Sequence, residues 1–170
     1  MDGISWAASA MTAARERLDI ATDNLANVSS DGFHKSLARG RLTARGVEIE
    51  RVTDGSSGAY RHTGRPDDLA IVGAGAFRVR NADGSIAQTR NGAFARDRGG
   101  VLRDSRGRAY LGTTPGALVR SGFLETSNVD AVGEMVDVLT AQRSFESAEK
   151  VVAAIDGVRQ KSSDDVARIK

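Results

Sequence analysis

Cysteine is absent from the 170 residues, which excludes disulfides, thiol catalysis, cysteine-bound zinc and iron–sulfur clusters. Histidine is scarce. His34 and His62 stand 28 positions apart with no cluster of carboxylates, so no metal centre and no histidine-based catalytic site is expected. Proline occurs twice, at Pro66 and Pro115, and aromatic residues make up only 5 % of the chain, enough for a modest core at most. No apolar run is long enough to span a bilayer, which speaks against membrane insertion. The opening Met-Asp-Gly has neither a basic n-region nor an apolar h-region, so a cleaved signal peptide is not expected.

Enzyme motifs are missing as well: there is no Gly-x-Ser-x-Gly, no His-Glu-x-x-His and no phosphate loop. Gly73-Ala-Gly75 follows a strand-like run, but Arg78 stands where the third glycine of a dinucleotide fingerprint belongs and no helix follows. Asp67 and Asp68 are neighbours, and neighbours on a strand point to opposite faces, which is wrong for a shared acid–base site. The expectation is a protein that is not an enzyme and holds no cofactor.

What the chain has in quantity is heptad-spaced apolar sequence at its two ends. Val138, Ala141, Phe145, Ala148, Val152 and Ile155 follow at steps of three and four, the spacing of one helical face, and Val132, Met135 and Leu139 continue the stripe toward the helix start. Asp137, Arg143, Glu146, Glu149 and Lys150 take the opposite, wet face. At the other terminus Ile4, Ala7, Met11, Ala14, Leu18, Ala21, Leu25 and Val28 keep the same alternation, which predicts a helix over 3–28. Ser127 or Asn128 is the expected cap of the second helix, with Asp130 in its first turn.

Between the ends lies a different kind of chain. Residues 34–65 show no sustained period apart from the alternation Val47 to Val52, and read as an extended linker. From 66 to 118 short strands alternate with turn residues such as Asn81-Ala-Asp83-Gly84, Asn91-Gly92 and Gly99-Gly100, a small β-domain. Leu69, Ile71, Phe77, Phe94, Leu102 and Leu111 supply its core, close to the lower limit for independent folding. Residues 112–122 are expected to lead the chain back. The fold class is therefore α+β: terminal heptad helices paired as a coiled coil, with a mainly antiparallel β-domain inserted between them. The segments are 1–33, 34–65, 66–118 and 119–170.

Charge divides the same way. Residues 39–120 hold fifteen arginines and no lysine against eight acids, a net of +7, while 1–38 sum to −2 and 121–170 to −3. An arginine-rich centre can mean nucleic acid. Here the arginines are spread singly and interrupted by Asp83, Asp97 and Asp104, which suits solvated strand faces or subunit contacts better.

The first helix stops in Asn24-Leu-Ala-Asn27-Val-Ser-Ser-Asp31-Gly32-Phe33, and this junction is similar to the one in bacterial flagellar axial proteins, the rod and hook group. Two more blocks agree with that group in order: DLAIVGAGAF at 68–77 with TRNGAFARDRGGVL at 89–102, and LETSNVDAVGEMVDVLTAQRSFE at 124–146. The resemblance is to the proximal and distal rod type, although the chain is shorter than typical distal-rod or hook proteins. It implies a structural subunit of the periplasmic rod, exported by the flagellar type III apparatus and packed against copies of itself and other axial proteins. The expected assembly residues are Ile4, Met11, Leu18, Leu25 and Val28 on one helix and Val132, Met135, Leu139, Phe145, Val152 and Ile155 on the other; Asn24, Asn27, Gly32 and Phe33 form the junction.

The residues themselves point to assembly independently. A two-helix seam dries only its strict contact positions, and Val132, Met135, Val136, Leu139 and Val151 widen the C-terminal stripe beyond them. A contact between copies that does not close on itself generates a helical tube. The alternatives are a nucleic-acid-binding β-domain and a cytosolic coiled-coil adaptor.

Overall fold

The computed structural model describes residues 3–44 and 46–168; residues 1, 2, 45, 169 and 170, which fall in the expected terminal and linker segments, lie outside it. Two helices flank a small antiparallel β region, an α+β arrangement. The chain divides into two compact units: the terminal helices with residues 36–52 form one, and residues 26–35 with 53–130 form the other.

In the helical unit, α1 covers Gly3–Ala26 and α2 covers Ala131–Arg168. Helix α1 is rich in alanine, the best helix former, and has no glycine or proline after its first residue. It ends two residues before the predicted Val28. Ser30 N–H bonds to the Asn27 carbonyl at 3.0 Å, Phe33 N–H bonds to the Ser30 carbonyl, and Gly32 takes a left-handed φ of 67°, so local turns replace the helix ladder. Helix α2 starts later than expected. Asn128 does not cap it, because its Oδ1 accepts the Lys35 N–H at 2.7 Å and its Nδ2 donates to the Ser56 carbonyl. Ser127 Oγ accepts only from the Val129 N–H, and Asp130 directly precedes the helix instead of sitting in its first turn, where the acidic residue is Glu134.

Two strands of the expected linker, β1 (Ser36–Thr43) and β2 (Gly46–Thr53), pair as a two-stranded sheet within this unit. They lie along α1: Val47 N–H reaches Ser9 Oγ, and Arg51 bonds Asp23 at 2.8 Å.

The β unit holds β3 (Tyr60–His62), β4 (Leu69–Val72), β5 (Phe77–Arg80), β6 (Ile86–Thr89), β7 (Ala95–Arg96), β8 (Leu102–Arg103), β9 (Ala109–Thr113), β10 (Leu118–Ser121) and β11 (Phe123–Glu125). Five of them form one sheet in the order β6-β5-β9-β8-β7, and β10-β4 and β11-β3 are separate antiparallel pairs. Residues 112–122 are thus mostly strand. The run Leu118 to Ser121 gave no periodic signal of its own, and it is strand because β4, more than forty positions earlier, supplies its ladder from Leu118↔Val72 to Ser121↔Leu69.

Three hairpin turns of this unit share one chemistry. At Asn81, Asp97 and Asp104 the residue's own N–H bonds to the carbonyl four positions on, and its carbonyl accepts from the glycine three positions on. Those glycines, Gly84, Gly100 and Gly107, have φ between 76° and 86°, a region that L side chains avoid. The sequence signature is Asn or Asp, two residues, then Gly.

The core follows from alternation on β5: Phe77 and Val79 are buried, Arg78 and Arg80 exposed. Ile71, Phe77, Val79 and Phe94 form the cluster, flanked by Leu69, Ala87, Leu102, Tyr110 and Ala117. Phe77 and Phe94 meet edge to face, 5.4 Å between centroids. Leu111, expected in the core, is exposed instead. A register shift at Arg78/Val79 sets Val79 opposite Tyr110, whose ring packs on Phe77 and Phe94 and takes the place assigned to leucine.

Candidate functional site

Two places in the chain are built beyond what a plain fold needs. The first is the helical pair. Asn24 Nδ2 of α1 lies 3.1 Å from Glu134 Oε2 of α2, and a Cβ on Gly3 would lie 3.2 Å from Ile155 Cδ1, so the helices run side by side in opposite directions. These contacts are 21 positions apart on each helix (3 to 24 and 134 to 155), which is three heptads in step. Ala7, Ala13, Ala14, Ile20 and Ala21 of α1 are buried, as are Ala141 and Ala148 of α2. Ile4, Met11, Leu18 and Leu25 are half-buried, and so are Phe145, Val152 and Ile155.

Asn24 is the polar centre of this pair. It is 1 % exposed and spends its amide fully: Nδ2 donates to the Ser36 carbonyl (2.8 Å) and to Glu134, and Oδ1 accepts the Ser36 N–H (2.8 Å). The burial of Glu134 beside it had no sequence signal of its own. A carboxylate in a stripe of valine and alanine reads as a solvated residue until its partner is known.

The remaining predicted helix residues are not in the seam. Val132 is 71 % exposed, Met135 52 % and Leu139 55 %, and Val136 and Val151 are exposed with them. Val132, Met135, Val136 and Leu139 fall at positions i, i+3, i+4 and i+7, one continuous apolar face over the first two turns of α2 that is exposed among the described residues.

The second place is the junction in the β unit. Its hub is Glu125, whose side chain is wholly buried. Oε1 accepts from Gly58 N–H (3.1 Å) and Arg90 Nη2 (3.2 Å) and lies 3.0 Å from His34 Nε2. Arg90 Nε approaches Oε2 at 2.9 Å without the alignment of a hydrogen bond, so charge holds that contact. Arg90 Nη1 also donates to the carbonyls of Gly73 and Gly75 at 2.8 and 2.9 Å, and the backbone carbonyl of Glu125 accepts the Gly32 N–H at 2.7 Å. Gly32 is required twice over. Its φ is left-handed, and a Cβ there would land inside the backbone of Arg90–Asn91. Phe33, through its carbonyl, accepts the Asn128 N–H, and Asn27 bonds within the turn to Ser30. Sequence reasoning passed over Arg90 and Glu125 as site residues. Both stand inside the family-like blocks at 89–102 and 124–146, but only folding shows that the two blocks meet.

Neither place presents a nucleophile beside a base, and among the described residues no group of three or more His, Asp or Glu side chains is arranged to hold a metal ion. Likewise no described helix is long and apolar enough to cross a membrane.

Three family descriptions match the chain in order. "Flagella basal body rod protein" covers residues 4–34, "Flagellar hook protein FlgE/F/G D1 domain" covers 70–137, and "Flagellar basal body rod FlgEFG protein C-terminal" covers 120–164. The chain belongs to the flagellar rod and hook axial proteins. Among its relatives, the flagellar hook protein FlgE of Salmonella typhimurium is 33 % identical over 115 residues, 64 % of this chain but only 28 % of that protein. The flagellar basal-body rod protein FlgG of Agrobacterium fabrum is 23 % identical over 92 % of this chain and 96 % of its own length, and FlgG of Bacillus subtilis is 26 % identical over 85 % and 91 %. The Agrobacterium alignment runs over 251 positions against 170 residues here, so that rod protein carries stretches with no counterpart in this axial chain.

Proposed function

We propose that this chain is a structural subunit of the flagellar basal-body rod, self-assembling through its terminal helices into the torque-transmitting shaft. The observation that carries this reading is the uncovered face of α2, Val132, Met135, Val136 and Leu139, in a single copy. Removing such side chains from water is worth roughly 25 cal/mol per Å² of apolar area, and a neighbouring copy is the available source of cover. In this reading α1 and α2 pair as a coiled coil with Ile4, Met11, Leu18 and Leu25 facing Phe145, Val152 and Ile155, while Val132, Met135 and Leu139 meet the next subunit. Segments 1–33 and 119–170 are axial, 34–65 connects, and 66–118 with its core of Leu69, Ile71, Phe77, Phe94 and Leu102 is the inserted β-domain. Neighbours along the shaft are other axial proteins, the site is the periplasmic rod, and delivery is by the flagellar type III export apparatus.

Polymerisation followed by sedimentation and circular dichroism tests this. The dilute subunit is expected to have partly unfolded termini and to gain helix as it polymerises, and removal of 138–170 is expected to abolish polymer. A monodisperse monomer with fully formed terminal helices and no polymer at any concentration would overturn it.

A further inference from the structure

The junction 26–35 and the apolar core belong to one compact unit but are held by different forces. No side chain of 26–35 is in the cluster of Ile71, Phe77, Val79 and Phe94 or among the residues packed against it. The junction is fastened by polar contacts instead. Gly32 N–H bonds the Glu125 carbonyl, His34 meets the Glu125 carboxylate, Lys35 N–H bonds Asn128 Oδ1, and Asp31 pairs with Arg61 at 2.9 Å. The Arg61 pair is exposed and contributes little. The Gly32 and His34 contacts both end on Glu125, while Phe33, His34 and Lys35 are also held by Asn128 and Asp54; Arg90 is the counter-charge that makes the burial of Glu125 tolerable.

We propose that Glu125 and Arg90 form a clasp whose opening frees the junction 26–35 and the loop around Gly58 while the β core stays folded. Segments held by few apolar contacts open at lower free energy than the core they are attached to. An unpaired buried charge is costly, so losing either partner opens the clasp. Glu125 and Arg90 are positioning residues: closed, the clasp holds the junction against the β unit; open, it releases that segment. The contacts lie within one copy, so the inference stands or falls separately from the assembly reading.

Amide hydrogen exchange on the full chain, read residue by residue below the concentration of assembly, is the test. In Glu125→Gln the amides of Gly32, Lys35 and Gly58 are expected to exchange on the order of a hundredfold faster, with Phe77 and Val79 unchanged. Should Glu125→Gln fail to fold, His34→Gln removes the imidazole that touches both the Glu125 carboxylate and the Asp54 carbonyl but leaves the Glu125–Arg90 pair in place, and it is expected to produce the same pattern at smaller amplitude. Equal acceleration of junction and core amides, or no acceleration at the junction in either variant, would overturn the clasp.

Discussion

The helical unit and the β unit bury their residues by opposite means. In the helical unit the fully buried apolar residues are alanines and one isoleucine, and the deepest polar group is an amide bonded three ways. In the β unit two phenylalanines, an isoleucine and a valine are closed off from water with a tyrosine against them, each large side chain worth about 1.5–3 kcal/mol of burial. Alanine removes little area, so the helices approach closely but gain little from it, and Val132, Met135, Val136 and Leu139 remain wet. The β unit encloses a cluster of large side chains, although Val72, Ile86, Leu118 and Val119 on its strands stay exposed; the helical unit encloses mainly alanine. In the proposed rod, stability of the single copy and polymerisation would rest on separate parts of the chain.

The contrast is open to direct attack, because Trp6 lies on α1 while both tyrosines, Tyr60 and Tyr110, lie in the β unit. Phe77→Ala should have the largest effect, about 3–5 kcal/mol lost, with the tyrosine near-ultraviolet signal melting well before Trp6 fluorescence responds. Simultaneous loss of both signals would show that the β core also supports the helices. Asn24→Ala strikes the other unit. It strands the Ser36 backbone and the buried Glu134, which should cost about 1–3 kcal/mol, seen as an earlier helical transition at 222 nm with the tyrosine signal intact. Val136→Ser with Leu139→Ser should leave the melting of the dilute monomer within about 0.5 kcal/mol of the parent while raising the concentration needed for polymer. A large loss of monomer stability would mean that this face is already covered within one copy.

The smallest effect concerns the turn at Asp97. The hydrogen bond from Arg103 Nε at 2.7 Å, then the Val101 N–H, holds the Asp97 carboxyl below its ordinary 3.8. A depressed carboxyl contributes stability that is full above its unfolded value and is lost as pH falls through the folded one. The β unit should therefore weaken slightly below pH 3.8, and Asp97→Asn should flatten that slope in acid titrations followed by tyrosine signal. The helices should show no matching change.

Much of this was legible from residue order. The three-and-four spacing of Val138, Ala141, Phe145, Ala148, Val152 and Ile155 fixes a helix face without any tertiary help, because 3.6 residues per turn is a local property. The same locality makes the turns at Asn81, Asp97 and Asp104 readable, since each closes on itself within five residues. The ordered blocks at 24–33, 68–102 and 124–146 were enough to suggest the family. What the tertiary structure alone decided is everything that depends on residues far apart in the chain. Strand β10 exists because β4 pairs with it, Tyr110 displaces Leu111 from the core because of a register shift, and Glu134 is inside because Asn24 meets it across 110 positions. Glu125 is a hub only because His34 and Arg90, 91 and 35 positions away, converge on one carboxylate. Local periodicity carries no information about such meetings; they are set when the whole chain closes and each buried polar group must find its partner.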